Sequence, residues 1–285
     1  MRREDRAFDK PASLLIRGSL LTLARPWVMG ILNLDPSSFY SESRALSEKD
    51  ALEKVSEMIQ EGMDILDIGP SSSRPGAEIM EPNEEWKRLE SILKAIQQEF
   101  PAMLISVDTL HSSVAQRAID AGADMINDIS GGMYDPAMIP TVAAAGIPYV
   151  CMHMPGEPAT MQHDVKYENV LTEVISFFTE RMRVCKEAGI KDLILDPGFG
   201  FGKKSPHNFT LLRELNHIRS LRNPVLIGIS RKRMIYGNLG IKAEEALNGT
   251  TALNMAALMH GADILRVHDV KEAVECVKMY ELMRG

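Results

Sequence analysis

Eight short apolar runs each close on a side chain able to bind or react: Asn33, Asp67, Asp108, Asn127, His153, Asp196, Ser230 and His268. Two of the runs add positive charge. "GISRKRM" sets Ser230, Arg231, Lys232 and Arg233 in a row. "ILRVHDV" sets Arg266 two residues before His268, so strand alternation aims both the same way. Arg grips phosphate oxygens with a fork of N–H donors, and Lys supplies a compact point charge. A solvated basic turn accounts for Arg233 but not for Arg266, which stands inside an apolar run. A buried guanidinium there needs an anionic partner. The pattern predicts a phosphate or diphosphate site. Opposite this charge, Asp108, Asn127 and Asp196 offer acceptors and one amide. Facing carboxylates serve as metal ligands, as acid–base groups, or as acceptors for the paired N–H edge of a nitrogen-rich ring.

The residues around these groups suit a small-molecule site. In "DPGFGFGKKSPHN", Gly198, Gly200 and Gly202 let backbone approach a ligand closely. The spacing is not a dinucleotide fingerprint. Phe199 and Phe201 either stack on a flat ring or pack. His153 in "CMHMPG" is either a ligand or a hydrogen-bonded structural histidine. The stretch "ILNLDPSSFYSESR" follows an apolar run with polar side chains and one aromatic ring, and reads as a working loop. The 18 methionines fall mostly at core spacing. The three cysteines, Cys151, Cys185 and Cys276, lack metal-ligand spacing and suit packing in a reducing cytoplasm.

The elements that must position these residues are regular. The runs "WVMGILNL", "DILDIG", "MLISVD", "MINDIS", "YVCMHM", "DLILDPG", "PVLIGIS" and "ILRVHD" have the length of strands buried on both faces. Helical periodicity separates them, as in "EKDALEKVSEMIQEG" and "LTEVISFFTERMRVCKEAG", and several helices stop at Gly62, Gly122, Gly146, Gly189 or Gly261. Eight such alternations with no break in composition predict a single (β/α)₈ TIM barrel spanning residues 1–285. A doubly wound open sheet is the alternative. Residues 1–24 form an N-terminal extension, with a β-hairpin around Gly18-Ser19 capping the barrel floor. In a barrel the C-terminal strand ends share one rim, where chemistry is carried. The length of 285 residues, 45% hydrophobic and 25% charged, suits a globular enzyme of this kind. A net charge of −7 argues against nucleic-acid binding, no apolar run approaches the roughly 20 residues of a membrane span, and no secretory leader is expected.

Taken together, "MGILNLDPSSF", "DILDIGPSSSRPGAE", "ISVDT", "INDISGG", "MHMPGEPATMQ", "LILDPGFGFGK", "GISRKRMI" and "LRVHDVKE" resemble the dihydropteroate synthase family, in order and spacing, from about Trp27 onward. The resemblance implies a homodimeric barrel of folate biosynthesis. It would join 4-aminobenzoate to 6-hydroxymethyl-7,8-dihydropterin diphosphate, with Mg²⁺ assisting release of diphosphate. By matching motif it assigns the pterin to Asp108, Asn127, Asp196 and Lys232, lined by Met152, Phe201 and Gly228. Arg266 and His268 would hold the diphosphate, with Asn33 helping through Mg²⁺, and Ser230, Ser73, Arg74 and Pro75 would frame 4-aminobenzoate. Catalytic duty would fall on Lys232, Arg266, His268, Arg74 and Asp35. Two loops depart from the pattern. The usual Asn-Val-Thr-Pro-Asp-Ser-Phe reads Asn33-Leu34-Asp35-Pro36-Ser37-Ser38-Phe39, and Gly-Glu-Ser-Thr-Arg-Pro-Gly reads Pro70-Ser71-Ser72-Ser73-Arg74-Pro75-Gly76. Asp35 is expected to replace the carboxylate missing at Ser37. Rival readings are a pterin-dependent methyltransferase, which has little use for a diphosphate site, and a non-catalytic pterin-binding paralogue.

Overall fold

The eight apolar runs are eight parallel strands in the computed structural model, which describes residues 12–34, 47–69, 79–156, 161 and 165–284. A short antiparallel pair, β1 (Ser13–Ile16) and β2 (Ser19–Thr22), precedes them. The barrel strands are β3 (Trp27–Asn33), β4 (Ile65–Gly69), β5 (Leu104–Asp108), β6 (Met125–Asp128), β7 (Tyr149–Met152), β8 (Leu193–Asp196), β9 (Leu226–Ile227) and β10 (Ile264–Val267). Their order is β8-β7-β6-β5-β4-β3-β10-β9, and a parallel bridge between Leu195 and Val225 joins the two ends. That bridge rules out the doubly wound alternative, because an open sheet keeps two free edges.

Pairing register decides which side chains face inward. Met29 lies opposite Ile65, Asp67 opposite Ser106, Asp108 opposite Asn127, and Met152 opposite Asp196. With a side-chain period of two, these residues all point into the barrel, in stacked layers. The lower layer is apolar: Trp27, Met29, Ile65, Met125, Val150, Ile194, Leu226 and Ile264 form one cluster with Leu14, Ile16 and Leu23. The out-facing residues, among them Leu32, Leu66, Ile68, Val107 and Ile126, pack beneath the helices in a second, larger core.

The hairpin closes the floor, as its composition predicts. Arg17 and Gly18, at φ 50° and 74°, make the two-residue turn whose twist matches the flanking strands. Arg17 then reaches past the turn, donating to both oxygens of Asp124 (2.7 and 2.8 Å) and to the carbonyls of Pro101 and Met103. Helix ends follow their sequence signals too. Ser47 accepts from the Asp50 amide at the start of Glu48–Glu61, and Gly62 ends that helix in the left-handed region at φ 99°. No helix among the described residues is long and apolar enough to cross a membrane.

Candidate active site

Above the apolar layer the barrel interior turns polar. Asp67 from β4, Asp108 from β5, Asn127 from β6 and Asp196 from β8 are all buried. Arg266 of β10 lies among them. Its Nε donates to Asp67 Oδ2 at 2.7 Å and its Nη2 to Asp108 Oδ2 at 3.1 Å. Asn127 Nδ2 donates to the same Asp67 oxygen at 3.1 Å. The anionic partner that buried Arg266 was expected to need is supplied by two of the barrel's own carboxylates. The cationic and anionic groups are in contact rather than on opposite walls.

Lys232 enters from the turn after β9. Its Nζ donates to the Phe199 carbonyl at 2.5 Å and lies 4.6 Å from the centre of the Phe201 ring. Gly228 keeps the space beside it open, since a Cβ there would sit 3.9 Å from both Lys232 Nζ and Arg266 Cβ. Phe201, Met152, Met154, Met161 and Ile129 form an apolar wall. Phe199 is fully buried in the outer core, so the packing alternative holds for that ring.

Burial and charge set the ionisation of this basin. Burial raises Asp108 from the usual 3.8 to about 7, with Arg266 opposing and Asp67 adding to the rise. Burial raises Asp196 as well, against the pull of Lys232. Lys232 moves the other way, to about 8, because burial disfavours its charge more than Asp196 favours it. Burial also opposes the charge of Arg266, but Asp67 and Asp108 outweigh it and hold the guanidinium protonated more firmly. For Asp108 the folded chain keeps a proton that the unfolded chain gives up, so this group's contribution to stability declines as pH rises from about 4 to about 7. Asp108→Asn is expected to flatten that segment of the curve. Chemical denaturation at intervals across the window measures it, and an unaltered slope refutes the raised carboxyl.

The remaining predicted residues divide. Ser230 Oγ bonds His268 Nδ1 at 3.0 Å and accepts from the His268 backbone amide, tying the turn after β9 to the end of β10. His268 is exposed at the open rim, and the nearby Arg266 works against its protonation. Arg231 points away from the basin and forks onto Asp269 at 2.6 and 2.9 Å, while Arg233 is exposed, as expected of a solvated turn. His153 lies edge-on to Phe177, and burial pushes it down to about 2; its Nδ1 is buried with no hydrogen-bond partner among the described residues, so neither the ligand role nor the hydrogen-bonded structural role is seen for it. Asn33 ends β3 opposite Gly69. Asp35, Ser73, Arg74 and Pro75 lie outside the described residues, as do the other positions where the two loops depart from the family pattern.

Comparison with known proteins decides what kind of basin this is. Residues 29–268 match the family described as pterin binding enzyme. Dihydropteroate synthase of Escherichia coli strain K12 is 42% identical over 270 residues, covering 94% of this chain and 95% of the relative. The chain belongs to the dihydropteroate synthase family. The structure of the Yersinia pestis dihydropteroate synthase with a sulfonamide drug complex is 39% identical, covers 96% of this chain and 99% of its own, and superposes with a TM-score of 0.90. That of the Thermus thermophilus dihydropteroate synthase in complex with 4-aminobenzoate is 38% identical, covers 95% and 100%, and has a TM-score of 0.86.

The surroundings of two buried residues of this synthase-like basin escape sequence reasoning. Asp67 in "DILDIG" reads as a strand-end residue, yet nothing in the run shows that it lies a layer below Asp108 or that its partners come from strands β6 and β10. Lys203, in the pair Lys203-Lys204, carries no mark in the sequence that sets it apart from its neighbour. It is buried, and its Nζ donates to the carbonyls of His153 (3.1 Å), Gly198 (3.0 Å) and Phe201 (3.0 Å). Three acceptors engage all three protons of an ammonium. The glycine-rich loop is thus wrapped around the Lys203 Nζ, which burial pushes well below the usual lysine range, and Gly198, at φ 68°, has no room for a Cβ against the His153 carbonyl.

Proposed function

We propose that the chain joins 4-aminobenzoate to 6-hydroxymethyl-7,8-dihydropterin diphosphate, forming 7,8-dihydropteroate and diphosphate. The observation that carries the reading is one basin in which Asp108, Asn127 and Asp196 share walls with Lys232 and Arg266. The carboxylates and the amide accept the N–H groups of the pterin ring, and Met152, Phe201 and Gly228 shape the slot for its flat faces. Arg266 and His268 take the diphosphate. Ser230, with Ser73, Arg74 and Pro75, frames 4-aminobenzoate, and Asp35 takes the duty of the carboxylate missing from its loop.

The chemistry follows from charge. The bond from the methylene carbon to the diphosphate oxygen breaks with its electron pair leaving on oxygen, and the electron-rich dihydropterin ring spreads the positive charge left behind. The arylamine nitrogen of 4-aminobenzoate, neutral near pH 7, then bonds the carbon and sheds a proton. It needs positioning more than deprotonation, so no conventional base is required. Lys232 and Arg266 stabilise the departing anion as preorganised charge.

Mg²⁺ suits this site only as a companion of the substrate. Among the described residues no group of three or more His, Cys, Asp or Glu side chains could hold a metal. Asn33 offers one neutral oxygen at the rim, which fits an ion held chiefly by phosphate oxygens and water. When bound, the metal neutralises charge on the diphosphate. A homodimer is also part of the proposal. Met279, Leu282 and Met283, spaced to share one face of the helix Val270–Arg284, are 54%, 76% and 64% exposed, an apolar stripe that a second copy would cover. Buried free thiols at Cys151, Cys185 and Cys276 fit a reducing cytoplasm.

An assay of dihydropteroate formation with purified chain, with and without Mg²⁺, tests the whole reading. Turnover is expected with both substrates and a fall of at least tenfold on chelation, alongside a dimeric mass in sedimentation equilibrium. Pterin binding without condensation returns the non-catalytic paralogue, and methyl transfer without diphosphate release returns the methyltransferase.

A further inference from the structure

Asp67 has no part in the scheme above, yet it is the most deeply placed charge in the basin. It is 0% exposed. It pairs in register with Ser106, one inward layer below Asp108 and Asn127. Arg266 Nε, at 2.7 Å, and Asn127 Nδ2, at 3.1 Å, both donate to its Oδ2. One oxygen atom therefore ties a group proposed for the diphosphate to a group proposed for the pterin.

The tie has a chemical consequence for Asn127. A carboxylate oxygen already accepting from a guanidinium cannot offer a proton, so the Asn127 amide must present its NH₂ to Asp67. The amide is planar. Its Oδ1 is then turned away from Asp67, as an acceptor for the slot. With the amide reversed, Asn127 would offer donors to the slot and two oxygens would face each other below. We infer that Asp67 is a positioning and specificity-determining residue: it fixes Asn127 as an acceptor and holds Arg266 beside the same ring, so that the slot selects a heterocycle with N–H groups on the facing edge. This rests on the pterin reading of the basin. It assigns Asp67 no contact with substrate.

A double-mutant cycle separates that role from a merely structural one. The probe is 6-hydroxymethylpterin, binding by calorimetry to the full chain and to Asn127→Ala, Asp67→Asn and the double variant. Asn127→Ala is expected to weaken binding about tenfold when Asp67 is present and less than twofold when position 67 is Asn, because the amide is then no longer fixed. The KM for 4-aminobenzoate is expected to stay within about twofold in Asp67→Asn, as an effect confined to the ring slot requires. Equal losses from Asn127→Ala in both backgrounds, or parallel losses of pterin and 4-aminobenzoate binding in Asp67→Asn, overturn the inference. If Asp67→Asn does not fold with Arg266 left unpaired, the same cycle with Asp67→Glu keeps the charge while moving the shared oxygen: the loss from Asn127→Ala is expected to shrink there too, and an undiminished loss overturns the inference. Should Asn127→Ala and Asp196→Asn both bind the probe as the parent does, the pterin reading itself fails. That outcome is distinct from failure of Asp67 alone.

Discussion

Replacing Lys232 by Met is expected to lower kcat/KM for the pterin diphosphate by about a hundredfold or more, the range found when one preorganised charge-stabilising group is removed. The side chain is anchored at both ends of its function. Nζ is fixed by the Phe199 carbonyl and held over the Phe201 ring, so little reorganisation accompanies reaction. Burial lowers this ammonium to about 8, which makes the role testable by pH. Protonated below that value and neutral above it, Lys232 should impose a falling limb on kcat/KM as pH rises through about 8, since that parameter reports the free enzyme. Arg at 232 stays charged throughout. Lys232→Arg should therefore lose most activity, because the guanidinium cannot occupy a site shaped for a point charge, while its residual rate loses the alkaline limb. Steady-state rates from pH 6 to 9.5 decide the matter. A profile flat to pH 9 in the parent, or a loss under threefold in Lys232→Met, would remove Lys232 from the reaction.

The second large effect falls on Arg266, and it should appear in folding as well as in turnover. Arg266 is the direct ion-pair partner of both Asp67 and Asp108, and its side chain is 16% exposed against 0% and 9% for theirs. Removing one member of a buried ionic cluster leaves uncompensated charge, which costs about 3–5 kcal/mol in comparable interiors. Arg266→Met is expected to lose stability in that range near pH 8. The deficit should shrink on acidification. Asp108 already holds its proton to about pH 7, and without Arg266 its affinity for the proton can only rise, so one of the two uncompensated carboxyls is neutralised in the folded variant and stability recovers in part as pH falls. Adding Asp108→Asn should recover part of the stability and none of the catalysis. Denaturant unfolding at pH 5.5 and pH 8, with activity measured well below each midpoint, separates the two. A variant within about 1 kcal/mol of the parent at pH 8 would show that the cluster is solvated and the pairing unimportant.

These expectations rest on features that differ in how far the linear chain discloses them. The apolar runs with a polar C-terminal residue were legible because strand length and burial on both faces leave a plain mark in composition. The hairpin was legible for a similar reason, with Gly18 where a two-residue turn needs positive φ. Asp196 and Lys232 could be placed at the rim because each stands at a strand end or just beyond it, whereas Met152 came from the family resemblance alone. Lys203 could not be distinguished from its neighbour Lys204, since what separates them is three carbonyls brought in by two different loops.

Arg266 shows where the boundary lies. From sequence alone, a guanidinium inside an apolar strand required an anion, and that requirement is physical and correct. Which anion was undetermined. Asp67 lies 199 residues away in the chain and Asp108 lies 158, and only the pairing of β10 with the first barrel strand β3, next to β4 and β5, brings them together. The chain by itself determined the periods, the strand ends and the kinds of groups collected there, because those depend on neighbours in sequence. Tertiary structure alone decided the partners, the inward layer and the shifted ionisations. Those depend on distances across the barrel, where Coulomb energy and loss of water act without regard to separation along the chain.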